Sequence, residues 1–177
     1  MPYYRVATAE LPYPHAMGDR TQAGRPPSNC PLALSRLLRT RGEHPGQDGY
    51  RDLFDDPAVT HRRQACDVHA GDWAVVLPIV EAFLAPYPAT ADPDEIYWAR
   101  DEDPRITSLA TADRMLARAL LNTHDPIKYF VNGRGRLESS GQHRICWART
   151  ADLSAVPVWF AANTVQPPRT ATLLQRG

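Results

Sequence analysis

The stretch that decides the reading runs from Ile127 to Phe160, IKYFVNGRGRLESSGQHRICWARTADLSAVPVWF. Ile127–Val131 is a β-branched and aromatic run, which predicts a strand. Asn132-Gly133 follows, the dipeptide that best tolerates the positive φ of a tight hairpin. Arg136–Ser140 is the expected return strand. Ser139, Ser140 and Gly141 lead into a helix expected over Gln142–Ala151. Val156–Phe160 closes the unit as a short apolar strand. The junction Ser140-Gly141-Gln142-His143-Arg144 is where chemistry is expected. A glycine before a helix lets backbone approach a ligand closely, and a helix start presents N–H groups at the positive end of its dipole. His143 and Arg144 fall in the first turn, near any anion held there. The plainer reading is that they only solvate a helix end.

Around that stretch the chain suits one domain. Its 177 residues are enough to bury a core, and its 43% apolar and 23% charged residues are those of a globular protein. Twenty basic residues balance 20 acidic ones, which argues against whole-surface nucleic-acid binding but not against a local basic patch. Lys128 is the only lysine; the other basic side chains are arginines, whose forks suit phosphate and carboxylate. Three cysteines, Cys30, Cys66 and Cys146, show no framework spacing, which suits a reducing cytoplasm. No signal peptide and no membrane span are expected. Seventeen prolines predict short elements and long loops.

In chain order, Tyr3–Thr8 reads as a strand and residues 15–31 as a loop holding Asp19, Arg20 and Arg25. Leu32–Arg39 reads as a short helix. Residues 40–49 are polar and turn-rich, with a turn at Leu53-Phe54. Val59–Val68 reads as helical with a basic group His61-Arg62-Arg63. Asp72–Ala85 carries apolar residues at helical spacing with Asp72 as N-cap. Pro78 predicts either a kink or a late start there. Glu95–Arg100 alternates weakly, which suggests a strand. Ser108–Leu121 is the clearest helix, with Leu109, Ala112, Leu116, Ala119 and Leu120 in one stripe. Residues 161–177 are expected to be a loosely ordered tail after a single domain over 1–160.

The motifs narrow the chemistry. There is no P-loop, no dinucleotide fingerprint and no nucleophile elbow. His61, Cys66 and His69 have ligand-like composition but match no zinc spacing, so no metal site is assigned. Cys146, between Ile145 and Trp147, reads as core rather than nucleophile.

The ordered set of Pro126-Ile127 strand, hairpin, Gly141-Gln142-His143-Arg144 and Val156-Pro157-Val158 resembles the ParB/sulfiredoxin superfamily over residues 105–160. The resemblance implies an α+β fold, a small mixed β-sheet with packed helices. It also implies a nucleotide bound along Ser139, Ser140, Gly141, Gln142, His143 and Arg144. The His143-Arg144 pair is similar to that of the sulfiredoxins and free-serine kinases, which bind adenine nucleotides; ATP or ADP with Mg²⁺ is therefore expected, and CTP, bound by ParB partition proteins, stays open. Gln142 stands where sulfiredoxins carry their catalytic cysteine, so sulfinic-acid repair is not implied. The resemblance places the loop holding Asp19, Arg20 and Arg25 near the nucleotide, although an exposed polar loop is the plainer reading.

The expected activity is phosphoryl transfer to an unidentified small molecule, or nucleotide hydrolysis, with His143 and Arg144 catalytic. The general base stays open among Asp94, Glu95, Asp101, Glu102, Asp103 and Asp113, with Glu138 on the hairpin as a further candidate. ParB partition proteins continue into a helix-turn-helix domain; 17 residues follow Phe160 here, and sequence-specific DNA reading by that route is not expected. The alternatives are a non-catalytic regulatory module acting through a protein partner, and a ParB-like nuclease.

Overall fold

The computed structural model describes residues 2–14, 46–66, 70–131, 137–160 and 165–176. In chain order its elements are β1 (Tyr3–Ala7), a 3-10 turn (Thr8–Glu10), α1 (Gly46–Phe54), α2 (Pro57–Gln64), α3 (Trp73–Leu84), α4 (Pro93–Glu102), α5 (Pro104–Thr107), α6 (Thr111–Leu120), β2 (Tyr129–Val131), β3 (Leu137–Ser139), α7 (Gln142–Thr150), β4 (Ala155–Trp159) and β5 (Thr172–Leu173). Expected as one domain, the chain divides into two compact units. The first holds residues 1–11, 70–141 and 154–177; the second holds 12–69 and 142–153.

The first unit contains the sheet. β1 pairs antiparallel with β4, from Tyr3 opposite Trp159 to Ala7 opposite Ala155. Its other edge takes β5, with Tyr4 opposite Leu173. β2 and β3 form the expected hairpin, Tyr129 opposite Ser139 and Val131 opposite Leu137; its Asn132-Gly133 turn lies outside the described residues. A single parallel bridge, Lys128 to Trp159, joins hairpin and β4, and the Trp159 N–H donates to Ile127 O at 2.8 Å. These four strands form with trimmed ends, but not in the one mixed sheet expected: β4, β1 and β5 make a three-stranded antiparallel sheet, and β2 and β3 a separate two-stranded one.

Residues 165–176 overturn the expectation of a loose tail. Besides β5, the buried Gln175 side chain accepts from Tyr3 N at 2.6 Å and donates to Pro88 O at 3.1 Å. β1 would otherwise present an unpaired edge, and β5 with Gln175 satisfies it.

Helix α3 starts where Asp72 caps it, its carboxylate accepting from Ala74 N at 2.8 Å. Pro78 lies inside the helix, so the late start is excluded. A proline there costs about 3 kcal/mol. Trp73, Val76, Val80, Phe83 and Leu84 are all buried, and each such side chain contributes about 1.5–3 kcal/mol, so the apolar stripe outweighs the proline. Gly71, at φ +96°, lets the chain before α3 pass against Ala112 of α6.

Two expectations fail in the segment between. Glu95–Arg100 is helix, not strand: Asp92 accepts from Asp94 N at 2.9 Å, Pro93 takes the first helical position, and Ile96 and Arg100 are buried one turn apart. Asp103-Pro104 repeats the signal and starts α5, so the long helix begins only at Thr111, after Ala110, rather than at Ser108.

The second unit holds α1, α2 and α7. Residues 46–54, expected as turn, are helical. α2 ends at Gln64, short of the expected Val68. Phe54, Cys66 and Cys146 form a small core, with Tyr13 packed against it. The Gln142 helix, expected on the sheet, groups with this unit. Leu32–Arg39 lies outside the described residues.

Candidate functional site

The first unit delivers the chain to the junction. Ser139 ends β3 opposite Tyr129 and is buried. Ser140 is held from two sides: its N–H donates to Lys128 O at 3.0 Å, and its Oγ donates to Pro126 O at 2.6 Å. Gly141 follows at φ +75°, a left-handed conformation that costs other residues about 1–2 kcal/mol.

Helix α7 takes up the chain in the second unit. Gln142, Ile145, Cys146 and Ala148 are its buried residues, so Gln142 shares the inward face at i+3 and i+4 spacing. His143 and Arg144 lie off that face and are half-buried. The first turn carries no acidic residue, and Gly141 brings no side chain to cap it. In contrast, α4 and α6 carry Asp94, Glu95 and Asp113 in their first turns. The α7 start therefore keeps its positive end without a nearby carboxylate on its own first turn.

The other end of α7 is packed with cations, which complement the negative end of the dipole. Arg63, only 7% exposed, donates from Nη1 to Thr150 Oγ1 at 3.2 Å and from Nη2 to Thr60 Oγ1 at 2.9 Å. Its guanidinium lies 3.5 Å from the centre of the Phe54 ring. Burial pushes its pKa down, and the Cys146 thiol and Asp55 oppose that shift. Arg149 stacks on Tyr13 at 3.9 Å. The sequence presents Arg63 only as one of a basic group; its burial depends on Phe54, Thr60 and Thr150 converging on it.

Three of the candidate general bases already serve the structure of the first unit. Asp101 Oδ1 lies 2.8 Å from Arg118 Nε and 3.7 Å from Arg100 Nε. Asp103 caps α5, accepting from Arg105 N at 2.8 Å, and pairs with the Arg105 guanidinium at 2.6 Å. That side-chain hydrogen bond holds the Asp103 carboxyl below the usual range, against the opposing effect of burial. Asp113 accepts from Asp72 N at 2.6 Å. Asp94 lies 3.6 Å from His124 Nε2, and Glu95 and Glu102 are exposed. Glu138 sits in β3 opposite Phe130, and its side chain lies outside the described residues. Asp19, Arg20, Arg25 and His69 lie outside them too.

Cys146 is fully buried, as a core residue would be. Among the described residues no group of three or more His, Cys, Asp or Glu is placed to hold a metal ion, and no helix is long and apolar enough to cross a membrane. No protein-family model, curated protein or solved structure matches the chain.

Proposed function

We propose that the chain binds a nucleotide through its phosphates at the first turn of α7, as a ParB/sulfiredoxin-like domain. The observation that carries this is the start of α7, a nine-residue helix that follows Gly141 in the chain and has no acidic residue in its first turn. Helix starts recognise phosphate through backbone N–H groups and the dipole. A first turn without acidic residues, and with His143 and Arg144, suits an anion. Arg144 makes a forked contact to the phosphate and His143 donates to a phosphate oxygen. The nucleotide is ATP or ADP, by the likeness of the His143-Arg144 pair, with CTP as the variant to test.

The reaction is phosphoryl transfer to a small-molecule acceptor, or hydrolysis. In either case Arg144 offsets charge on the group in transit. Glu138 is the candidate base for the acceptor hydroxyl. Mg²⁺ is bound in such sites by one or two carboxylates plus the substrate phosphates. The α7 first turn supplies no carboxylate, so the ion would be held chiefly by the nucleotide.

A thermal-shift screen against ATP, ADP, CTP and GTP, with and without Mg²⁺, tests the reading. A nucleotide at about 100 times its Kd stabilises the native state by about 2.7 kcal/mol, which raises Tm by roughly 5–10 °C in a chain of this size. No shift with any nucleotide would remove the proposal. The competing reading is a non-catalytic module acting through a partner protein.

A further inference from the structure

We propose that Cys66 and Cys146 are a redox pair that closes into a disulfide on oxidation. Both are buried, unbridged thiols, and with Phe54 they make up one small core. Their relative placement follows from the contact between α2 and α7. Arg63 Nη1 donates to Thr150 Oγ1 at 3.2 Å. Cys66 lies one turn beyond Arg63, its N–H donating to Arg63 O at 3.3 Å. Cys146 lies one turn before Thr150, whose Oγ1 donates to Cys146 O at 2.7 Å. Each cysteine backbone is thus one hydrogen bond from the same Arg63–Thr150 pair. Stepping forward from Arg63 and backward from Thr150 brings both side chains to the Phe54 core.

The oxidant is a hydroperoxide. Cys66 is 6% exposed and Cys146 0%, so Cys66 meets it first. The Cys66 sulfur attacks the terminal oxygen, the O–O bond breaks and the thiol proton passes to the leaving oxygen, so Cys66 becomes a sulfenic acid while an alcohol or water leaves. The Cys146 thiol then attacks Sγ of Cys66, the S–O bond breaks, and water leaves with the thiol proton. Two thiols are oxidised by two electrons, and the peroxide is reduced. The product ties α7 to the end of α2 across a long loop of chain, and such a link raises stability by restricting the unfolded chain. It does not depend on nucleotide binding.

The test uses the full chain carrying Cys30→Ser, so that the third cysteine cannot exchange. The protein is treated with hydrogen peroxide under native conditions, then mapped by mass spectrometry without reduction. The expected result is one linked peptide containing Cys66 and Cys146, loss of both thiols together, and a higher Tm that dithiothreitol reverses. A Cys66→Ser variant, checked for folding by circular dichroism, should keep the Cys146 thiol through the same treatment. Cys66 stopping at sulfinic acid with Cys146 still reduced, thiols of both residues surviving, or Cys146 oxidising equally in Cys66→Ser would each overturn the pair.

Discussion

Gly71→Ala should destabilise the first unit strongly, and the size of the loss can be worked from two features. Gly71 sits at φ +96°, and holding an alanine there costs about 1–2 kcal/mol. An added Cβ would lie 2.8 Å from Ala112 O and 3.1 Å from Leu116 Cβ, well inside the ~3.5–4.0 Å at which carbon contacts are favourable. The nearest atom is helix backbone, which cannot swing aside as a side chain would, so α6 must shift. Overpacking of this kind costs typically about 1–3 kcal/mol. Alanine also restricts the unfolded chain, which returns about 0.4–1 kcal/mol. The net expectation is a loss of roughly 2–4 kcal/mol, and a Tm lower by roughly 5–15 °C. Urea titration followed by far-UV circular dichroism measures it. A variant within about 0.5 kcal/mol of the wild type would refute the close approach of Gly71 to α6.

Three further outcomes follow from single contacts. Asp103→Ala should lose about 1 kcal/mol at neutral pH, the usual worth of an N-cap. Because the Asp103 carboxyl is depressed by Arg105, its contribution is present above the ordinary carboxylate pKa and is lost as pH falls through the folded-state value. The gap between wild type and variant in acid titrations should therefore narrow only below about pH 4. Cys146→Ala should fold, with a modest loss of stability measured by denaturation, and should keep any nucleotide turnover; lost turnover with intact folding would revive a thiol mechanism. Gln175→Ala should lower stability by about 1–3 kcal/mol in urea titration, since it leaves the Tyr3 N–H without this acceptor and the Pro88 carbonyl without this donor.

The 127–160 stretch was legible because each boundary carries its own chemistry: a β-branched run, Gly141 before a helix, and an apolar strand after it. The Pro93–Glu102 helix was misjudged because six weakly alternating residues drew attention from the stronger local signal, Asp92-Pro93 followed by two acids. The same Asp-Pro signal at Asp103 moved the start of the next helix. β5 is two residues long and has no pattern of its own; it exists because β1 offers an edge and Gln175 fits beside it. The role of Arg63 was illegible for a similar reason, since its partners lie in three separate segments. In the candidate site, a glycine directly before the α7 start was readable from position alone; its positive φ and the half-burial of His143 and Arg144 were not. The commitment of Asp101, Asp103 and Asp113 to arginines and helix starts was not, because those partners are set by tertiary packing.

The most direct test of the phosphate site is titration calorimetry of ATP, ADP and CTP against wild type, Arg144→Lys and Arg144→Ala, with circular dichroism as the folding control. The expected result is binding by the wild type and a loss of about 1.5–3 kcal/mol in Arg144→Ala, the range for a hydrogen bond to a charged group. Arg144→Lys should recover only part of it, because an ammonium cannot reproduce the fork. Equal affinity of wild type and Arg144→Ala would contradict the role given to Arg144, and a wild type that binds none of the three would contradict the nucleotide site itself.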